Sequence, residues 1–344
     1  MTIEQWSSDA WRGEAEAWLD QQLAANGIQR VGEVTQPHLR PWATVLRAPT
    51  TRGVVWLKAA GAETAFEVEL YGLLERVVPE RILVPIARDA ERGWMLLPDG
   101  GRRLGERLDE LDLVEAMAEV LPGYGQLQRD LGPHTDELLG LGIADMRAAV
   151  MPRRFEEAVA AVGRYVGRHG NEGDRETLRR AEAMAGRFQG WCQRLGGAAV
   201  GASLDHNDLH FWNVFVDEGA GSVGRVRFYD WGDSVVAHPF ASMLLGLGMI
   251  ALQLEVTADD PAGAAAAGCL PGGVRRPGLA RRAGRGAGAG LPGGQGRAGA
   301  ELGPGVAAAG RGGGRRLRRR PVAGARVAAV GQRHRGRLSP WGGG

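Results

Sequence analysis

The chain has 344 residues, of which 24% are charged and 44% hydrophobic, and its formal net charge is +2. Two cysteines, Cys192 and Cys269, cannot form a disulfide framework, and the start lacks the basic and apolar regions of a secretion signal, so we expect a cytoplasmic protein. The longest apolar stretch, residues 239–256, is interrupted by polar residues, which predicts a buried helix and no membrane partner.

The first predicted element is a helix over about Ile3 to Asn26, which we treat as a separate unit of residues 1–26. Its apolar residues recur at helical spacing and form one side. They are Trp6, Trp18, Leu19 and Leu23. We expect this side to pack on the segment that follows.

A strand is predicted over residues 53–58, and it ends at the only lysine of the chain. The chain has 42 lysine and arginine residues in total, and all except Lys58 are arginines. An ammonium acts as a compact point charge, whereas the planar guanidinium of arginine has a different geometry. The alternative interpretation is a solvated lysine at the end of a strand, but the apolar run before Lys58 favours a buried role.

A helix is predicted over residues 63–78, because apolar residues recur there at helical spacing. Glu67 borders the apolar stripe, whereas Glu69 points roughly 200° away at about 100° per residue. Glu67 is therefore the predicted carboxylate partner of Lys58, with Glu63 as the second choice.

A further strand over residues 93–97 runs into a turn at residues 98–101, and two long segments with helical periodicity follow, residues 104–131 and 151–195. Glycine and proline predict interruptions of these helices. The interruptions are expected at 122–123, 132–133 and 170–173.

The loop of residues 206–213 and the segment of residues 229–233 flank a predicted hairpin. Its strands are residues 214–216 and 226–229, joined by a turn over residues 217–222. The hairpin brings the two acidic segments into one pocket.

These segments carry the groups that phosphoryl transfer requires. A carboxylate without a metal accepts the proton of an attacking hydroxyl, a role we assign to Asp208. An amide oxygen and a second carboxylate suit Mg²⁺, so Asn213 and Asp230 are the predicted metal ligands. His206 is expected to brace the loop from inside, and Asp233 either binds a second metal or caps a helix.

The composition changes after about Asp260. Residues 261–344 contain 25 Gly, 18 Ala and 16 Arg, with Glu301 as the one acidic residue, so this segment carries +15 and the rest of the chain −13. Three interpretations of residues 257–344 remain open: a basic arm that binds nucleic acid, a disordered linker, or a frameshifted translation of a GC-rich gene, which we favour.

The pattern His-x-Asp-Leu-His-x-x-Asn, followed by an apolar strand and Asp-Trp-Gly-Asp, resembles the aminoglycoside phosphotransferase and choline kinase-like family, over roughly residues 27–256. The resemblance implies an α+β, two-lobed protein-kinase-like fold. Its small N-lobe with an antiparallel sheet, residues 27–98, would bind the nucleotide, and residues 99–256 would form a mostly helical C-lobe.

The resemblance also implies roles for individual residues. Lys58 would hold the α and β phosphates, and the strand with Met95 and Leu97 would offer backbone groups to the adenine. His210 would touch the transferred phosphate or the acceptor. The chain departs from the family at Asn207, where glycine is usual, and at Phe211-Trp212, where a Pro-Gly pair is usual.

The sequence therefore predicts a kinase that moves the γ-phosphoryl group of ATP or GTP, with Mg²⁺, to a hydroxyl of a small molecule such as an aminoglycoside or another antibiotic. One alternative is a degenerate, non-catalytic nucleotide-binding protein. The other is a nucleic-acid-binding protein that works through the arginine-rich tail.

Overall fold

The computed structural model describes residues 2–217 and 223–253. Most of the predicted turn at 217–222 and the whole tail predicted for 257–344 lie outside the described residues. No helix in the described part is both long and apolar enough to cross a membrane.

The N-terminal segment forms two helices, whereas the sequence predicted one. They are α1 (Ile3–Trp6) and α2 (Asp9–Ala25). The break has a local cause, because the Ser8 hydroxyl accepts a hydrogen bond from the backbone N–H of Trp11 and so caps a new helix. Trp11 and Trp18 both contact the ring of Trp94 edge to face, at centroid distances of 6.1 and 5.7 Å. These contacts fix α2 on the sheet that follows.

An antiparallel sheet of five strands, in the order β1-β2-β3-β5-β4, forms the first lobe. Its strands are β1 (Thr35–Leu39), β2 (Ala43–Thr50), β3 (Gly53–Ala60), β4 (Ala87–Asp89) and β5 (Trp94–Pro98). Side chains alternate between the two faces of a strand. Leu57 therefore packs towards α2, while Lys58 faces α3 (Phe66–Val77) on the opposite side.

The second lobe is mostly helical, as the sequence predicted. Its helices are α4 (Leu113–Leu131), α5 (Thr135–Gly140), α6 (Met151–His169), α7 (Glu172–Ala183), α8 (Ala185–Gly196) and α9 (Met243–Gln253). The predicted interruption at 122–123 is wrong, because α4 continues through Pro122. Leu121 and Tyr124 on either side are buried in the core, and this packing outweighs the lost helical hydrogen bond.

Five short strands complete the lobe and carry the loops of the candidate site. They are β6 (Ala144–Asp145), β7 (Ser203–Asp205), β8 (Val214–Val216), β9 (Val226–Phe228) and β10 (Val235–Ala237). The predicted hairpin strands are present as β8 and β9, which pair antiparallel with Val214 opposite Phe228. One continuous apolar core joins α3, α4 and this hairpin. The sheet lobe and the mostly helical lobe together make a two-lobed α+β fold.

Helix α9 departs from the expected buried helix of residues 239–256. Met243 and Ile250 are buried, but Leu244 is 86% and Leu252 is 73% exposed. Beside its first turn lies a cavity of about 470 Å³, lined by residues that include Tyr124, Phe240 and Met243. In the described part of the chain, this helix is covered on one side only.

Candidate active site

Lys58 lies between two carboxylates that come from different lobes. Its Nζ is 2.8 Å from Oε1 and 2.7 Å from Oε2 of Glu67, and 2.5 Å from Oδ1 of Asp230. The Lys58 side chain is 11% exposed and that of Glu67 only 1%. We call Lys58, Glu67 and Asp230 the lysine triad.

The charges of the lysine triad are mutually dependent. Burial lowers the pKa of Lys58, but the adjacent carboxylates of Asp230 and Glu67 outweigh it and hold that pKa above its usual value. Burial raises the pKa of Glu67. Burial also opposes ionisation of Asp230, but the attraction of the Lys58 ammonium is the larger effect, so the pKa of Asp230 is lowered. The lysine is therefore a stable cation that keeps Asp230 ionised.

Helix α3 explains why Glu67, and neither of its neighbours, occupies this position. Glu67 lies in the first turn and is buried, whereas Glu63 and Glu69 are exposed. Glu67 accepts a hydrogen bond from Lys58 and a second one, of 2.9 Å, from the backbone N–H of Trp231, the residue after Asp230. Glu67 thus fixes both the lysine and the backbone beside the second carboxylate.

The backbone is strained at two points of the site. In the described residues, two residues other than glycine have a positive φ: Asn207 at 61° and Asp230 at 66°. Asparagine adopts this left-handed conformation more readily than most residues, and glycine does so most easily. Asn207 therefore adopts a backbone conformation that glycine would also allow.

The loop of residues 206–213 holds Asp208 next to Asn213. The Asn213 amide Nδ2 donates to the carbonyl oxygen of Asp208 at 2.9 Å and to its Oδ2 at 3.0 Å. Asn213 is buried, and its carbonyl accepts a hydrogen bond from the backbone N–H of Tyr229, directly before Asp230. The hairpin register thus places Asn213 and Asp230 at the same end of β8 and β9.

The two histidines of this loop have different surroundings. His206 is fully buried, and its Nε2 lies 2.9 Å from the carbonyl oxygen of Tyr229, so it braces the loop against the end of β9. His210 accepts a hydrogen bond from the backbone N–H of Trp212 at Nδ1, which leaves Nε2 to carry the hydrogen. This Nε2 lies 3.6 Å from Oδ2 of Asp208.

The residues present fit a divalent cation. Because Asn213 donates its Nδ2 to Asp208, its amide oxygen is the atom that remains for a ligand, and together with the carboxylate of Asp230 it forms the hard oxygen set that Mg²⁺ prefers. Burial and the charges of Asp208 and Asp230 raise the pKa of Asp233, so negative charge is concentrated here. In residues 2–217 and 223–253, no group of three or more His, Cys, Asp or Glu side chains lies close enough together to hold a metal ion.

The adenine contacts predicted for β5 depend on which side of this strand each backbone group faces. Met95 lies between β3 and β4, opposite Lys58 and Arg88. The carbonyl of Leu96 accepts a hydrogen bond from Ile86 on the β4 side, so by alternation the backbone groups of Met95 and Leu97 face β3. The pairing of β5 with β4 ends at Leu96. After that residue, Pro98 is the first whose carbonyl oxygen faces away from β3.

Trp212 of the loop and Phe215 of β8 pack against glycines of the segment that joins the lobes. A Cβ at Gly105 would lie 2.6 Å from the ring of Trp212, and one at Gly100 would lie 2.5 Å from Phe215. Arg103 stacks over Trp212 at 5.2 Å from the ring centroid. Trp212 is thus accommodated by close packing on this segment.

Sequence reasoning missed His38. It lies in a cross-strand row with Val45 and Lys58, on the same face of the sheet. Burial and the charge of Arg40 lower its pKa to about 4. The register of β1, which no local pattern reveals, was needed to find it.

A second missed group surrounds the carboxylate of Asp205, just before the loop. It contacts Ser242 at the start of α9 and residues of α4, which are distant in the sequence. Local periodicity carries no signal for such contacts.

No protein-family model matches the chain, and no curated protein matches it. Among solved structures, the chain is similar to the GDP complex of wild-type aminoglycoside 2'-phosphotransferase-IIIa, with 11% identity, a TM-score of 0.47, and coverage of 74% of this chain and 88% of that one. It is also similar to a type I macrolide 2'-phosphotransferase (17% identity, TM-score 0.40, 76% and 88% covered). A choline/ethanolamine kinase family protein from Mesorhizobium loti also matches (16% identity, TM-score 0.42, 77% of each chain covered).

Proposed function

We propose that the protein is a small-molecule kinase that transfers the γ-phosphoryl group of ATP or GTP to a hydroxyl. The observation that carries this proposal is the lysine triad, because its Asp230 lies at the end of the hairpin whose other strand begins beside Asn213 and Asp208. A held lysine, a metal-binding carboxylate and a candidate base are the parts that phosphoryl transfer uses.

Lys58 would bind the nucleotide phosphates by exchanging one partner. An ammonium has three N–H donors, and two of them are used here, by Oε1 of Glu67 and Oδ1 of Asp230; Oε2 of Glu67 lies 2.7 Å away but accepts no hydrogen bond. A phosphate oxygen that arrives at the third donor brings a further negative charge beside Asp230 and would displace it, while Glu67 keeps the lysine in position. Release from the lysine makes the Asp230 carboxylate available to a cation.

Asp208 is the proposed base. Asn213 holds its Oδ2, so Oδ1 is left to accept the proton of the acceptor hydroxyl. Nε2 of His210 lies 3.6 Å from Oδ2 of the same carboxylate, and His210 would orient the acceptor or the transferred phosphate. When bound to Asp230 and Asn213, Mg²⁺ would neutralise charge on the phosphates.

The net charge of the chain is one guide to the class of acceptor. Apart from residues 261–344, the chain carries −13, which favours a cationic acceptor such as an aminoglycoside or an amino alcohol. A test panel should therefore contain aminoglycosides, uncharged antibiotics with hydroxyls, amino alcohols and sugars, each with ATP and with GTP.

The decisive variant is Asp208→Asn, which keeps the shape of the side chain and an oxygen that can accept from Asn213. We expect turnover to fall by about 100-fold or more while nucleotide affinity stays unchanged, since general base catalysis alone contributes about 10²–10⁴. Asp109→Asn, at an exposed position, is the matched control. If Asp208→Asn turns over as fast as the wild type, Asp208 is not the base. If the wild type binds nucleotide but phosphorylates no compound of the panel, the non-catalytic alternative is favoured.

A further inference from the structure

Asp205 is a carboxylate in the core of the second lobe that the proposed chemistry does not use. It is 0% exposed, and no lysine or arginine in the described part of the chain forms an ion pair with it. Burying an unpaired carboxylate is costly unless hydrogen bonds compensate. Burial accordingly raises the pKa of Asp205.

Hydrogen bonds to both oxygens compensate for this burial. Oδ1 accepts from the hydroxyl of Ser242 at 2.5 Å and from the backbone N–H of Asn207 at 3.0 Å. Oδ2 accepts from the backbone N–H of Ser242 at 3.2 Å and from Nε2 of Gln128 at 3.3 Å, and the Tyr124 hydroxyl lies 3.5 Å away. One carboxylate therefore joins β7, α4 and the start of α9.

The same contacts restrain the backbone directly before Asp208. The N–H of Asn207 is 2.8 Å from the Ser242 hydroxyl as well as 3.0 Å from Asp205. The N–H of His206 donates to the Tyr124 hydroxyl at 2.8 Å. Both peptide N–H groups that precede Asp208 are thus held, and one of them belongs to Asn207, which has the strained left-handed conformation.

We propose that Asp205 is a positioning residue for phosphoryl transfer, which acts through the backbone N–H of Asn207 and with Ser242 to hold Asp208 in its reactive position. This inference rests on the proposed function. A misplacement of about 1 Å in a reacting group costs about 100-fold in rate, so loss of this restraint should act on turnover.

The principal test is Asp205→Asn, because an amide has the same shape but only one acceptor oxygen for four donors. We expect kcat to fall by about 10- to 100-fold, with an unchanged nucleotide KM. Ser242→Ala should lower kcat in the same way, and Ser242→Thr, which keeps the hydroxyl, should restore most of it. Combining Asp205→Asn with Ser242→Ala should add little to either change, since the two residues act as a unit.

Asp145→Asn is the matched control. Asp145 also ends a short strand of the same three-stranded sheet, and its Oδ1 also accepts from the N–H two residues later, Arg147, at 3.0 Å. It has no contact with the loop of residues 206–213 among the described hydrogen bonds and ion pairs. Its variant should retain wild-type kcat.

Amide hydrogen exchange supplies a readout that does not depend on turnover. In Asp205→Asn, exchange at residues 206–208 should accelerate while exchange in the sheet of the first lobe stays unchanged. Wild-type kcat in a folded Asp205→Asn, a change confined to KM, or unaltered exchange at 206–208 would each overturn the inference. If Asp205→Asn does not fold, equal kcat in Ser242→Ala and Ser242→Thr would overturn it. If the wild-type chain transfers no phosphoryl group, the proposed function fails, and the exchange result still decides whether Asp205 holds the loop.

Discussion

The lysine triad predicts that its members contribute unequally to stability. Lys58→Met leaves the carboxylates of Glu67 and Asp230 adjacent, with no cation between them. Glu67→Gln removes one of two negative charges and leaves Asp230, 2.5 Å from Lys58, to neutralise the ammonium. The lysine variant should therefore be the more damaging, although both variants break the same ion pair.

The magnitudes follow from the remaining charges. Removing one partner of a buried ion pair costs about 3–5 kcal/mol, because it leaves a charge uncompensated, and Lys58→Met should show this full cost. Glu67→Gln leaves no unpaired charge, and its amide oxygen can still accept from the backbone N–H of Trp231. We expect a cost of about 1.5 kcal/mol, comparable to one hydrogen bond to a charged group.

The measurement is the free energy of unfolding from urea titrations at pH 7. Glu69→Gln, at an exposed position of the same helix, is the control and should lie within about 0.5 kcal/mol of wild type. The combined Lys58→Met and Glu67→Gln variant should be more stable than Lys58→Met alone, because it removes one of two repelling carboxylates. The reasoning is refuted if Glu67→Gln costs as much as Lys58→Met, or if the two losses simply add.

Three further predictions concern backbone, packing and pH. Asn207→Gly should leave the free energy of unfolding nearly unchanged, whereas Asn207→Ala should lower it by about 1 kcal/mol because of the left-handed φ of 61°; equal urea midpoints would contradict this. Gly105→Ala should destabilise the chain by about 1–3 kcal/mol, since its Cβ would lie 2.6 Å from the Trp212 ring, and a joint Gly105→Ala and Trp212→Leu variant should regain part of this loss in thermal melts. The pKa of His38 falls from 6.5 to about 4 on folding, so the unfolded chain binds the additional proton and the free energy of unfolding should decrease as the pH drops from 6.5 to 4. In His38→Gln, the free energy of unfolding should decrease less over this pH range. If it falls in parallel with that of the wild type, His38 is not the cause of the decrease.

Local patterns were sufficient for much of the site. The strand that carries Lys58, the helix that carries Glu67 and the hairpin between Asn213 and Asp230 each follow from periodicity or turn chemistry within a short window. The structure brings Lys58 and Glu67 together because the strand and the helix are adjacent in the chain.

Other features depend on contacts that no short window contains. Helix α4 continues through Pro122 because its flanking residues are buried by distant parts of the chain, and intrinsic propensity was overruled. The direction of the backbone groups of Leu97 depends on the register with β3. Asp205 and Ser242 are 37 positions apart, so their hydrogen bond leaves no local signature.

Lys58 is the only lysine of the chain, and this makes the lysine triad a natural chemical reporter. Among the side chains of this sequence, amine-directed reagents therefore have one target, Lys58. Acylation requires a neutral, accessible amine, but the surrounding carboxylates hold the pKa of Lys58 high, and its side chain is 11% exposed. Each molecule that acquires an acyl group at Lys58 has therefore opened its ion pairs with Glu67 and Asp230 first, so the rate of the mass increase at this residue measures how often the lysine triad opens.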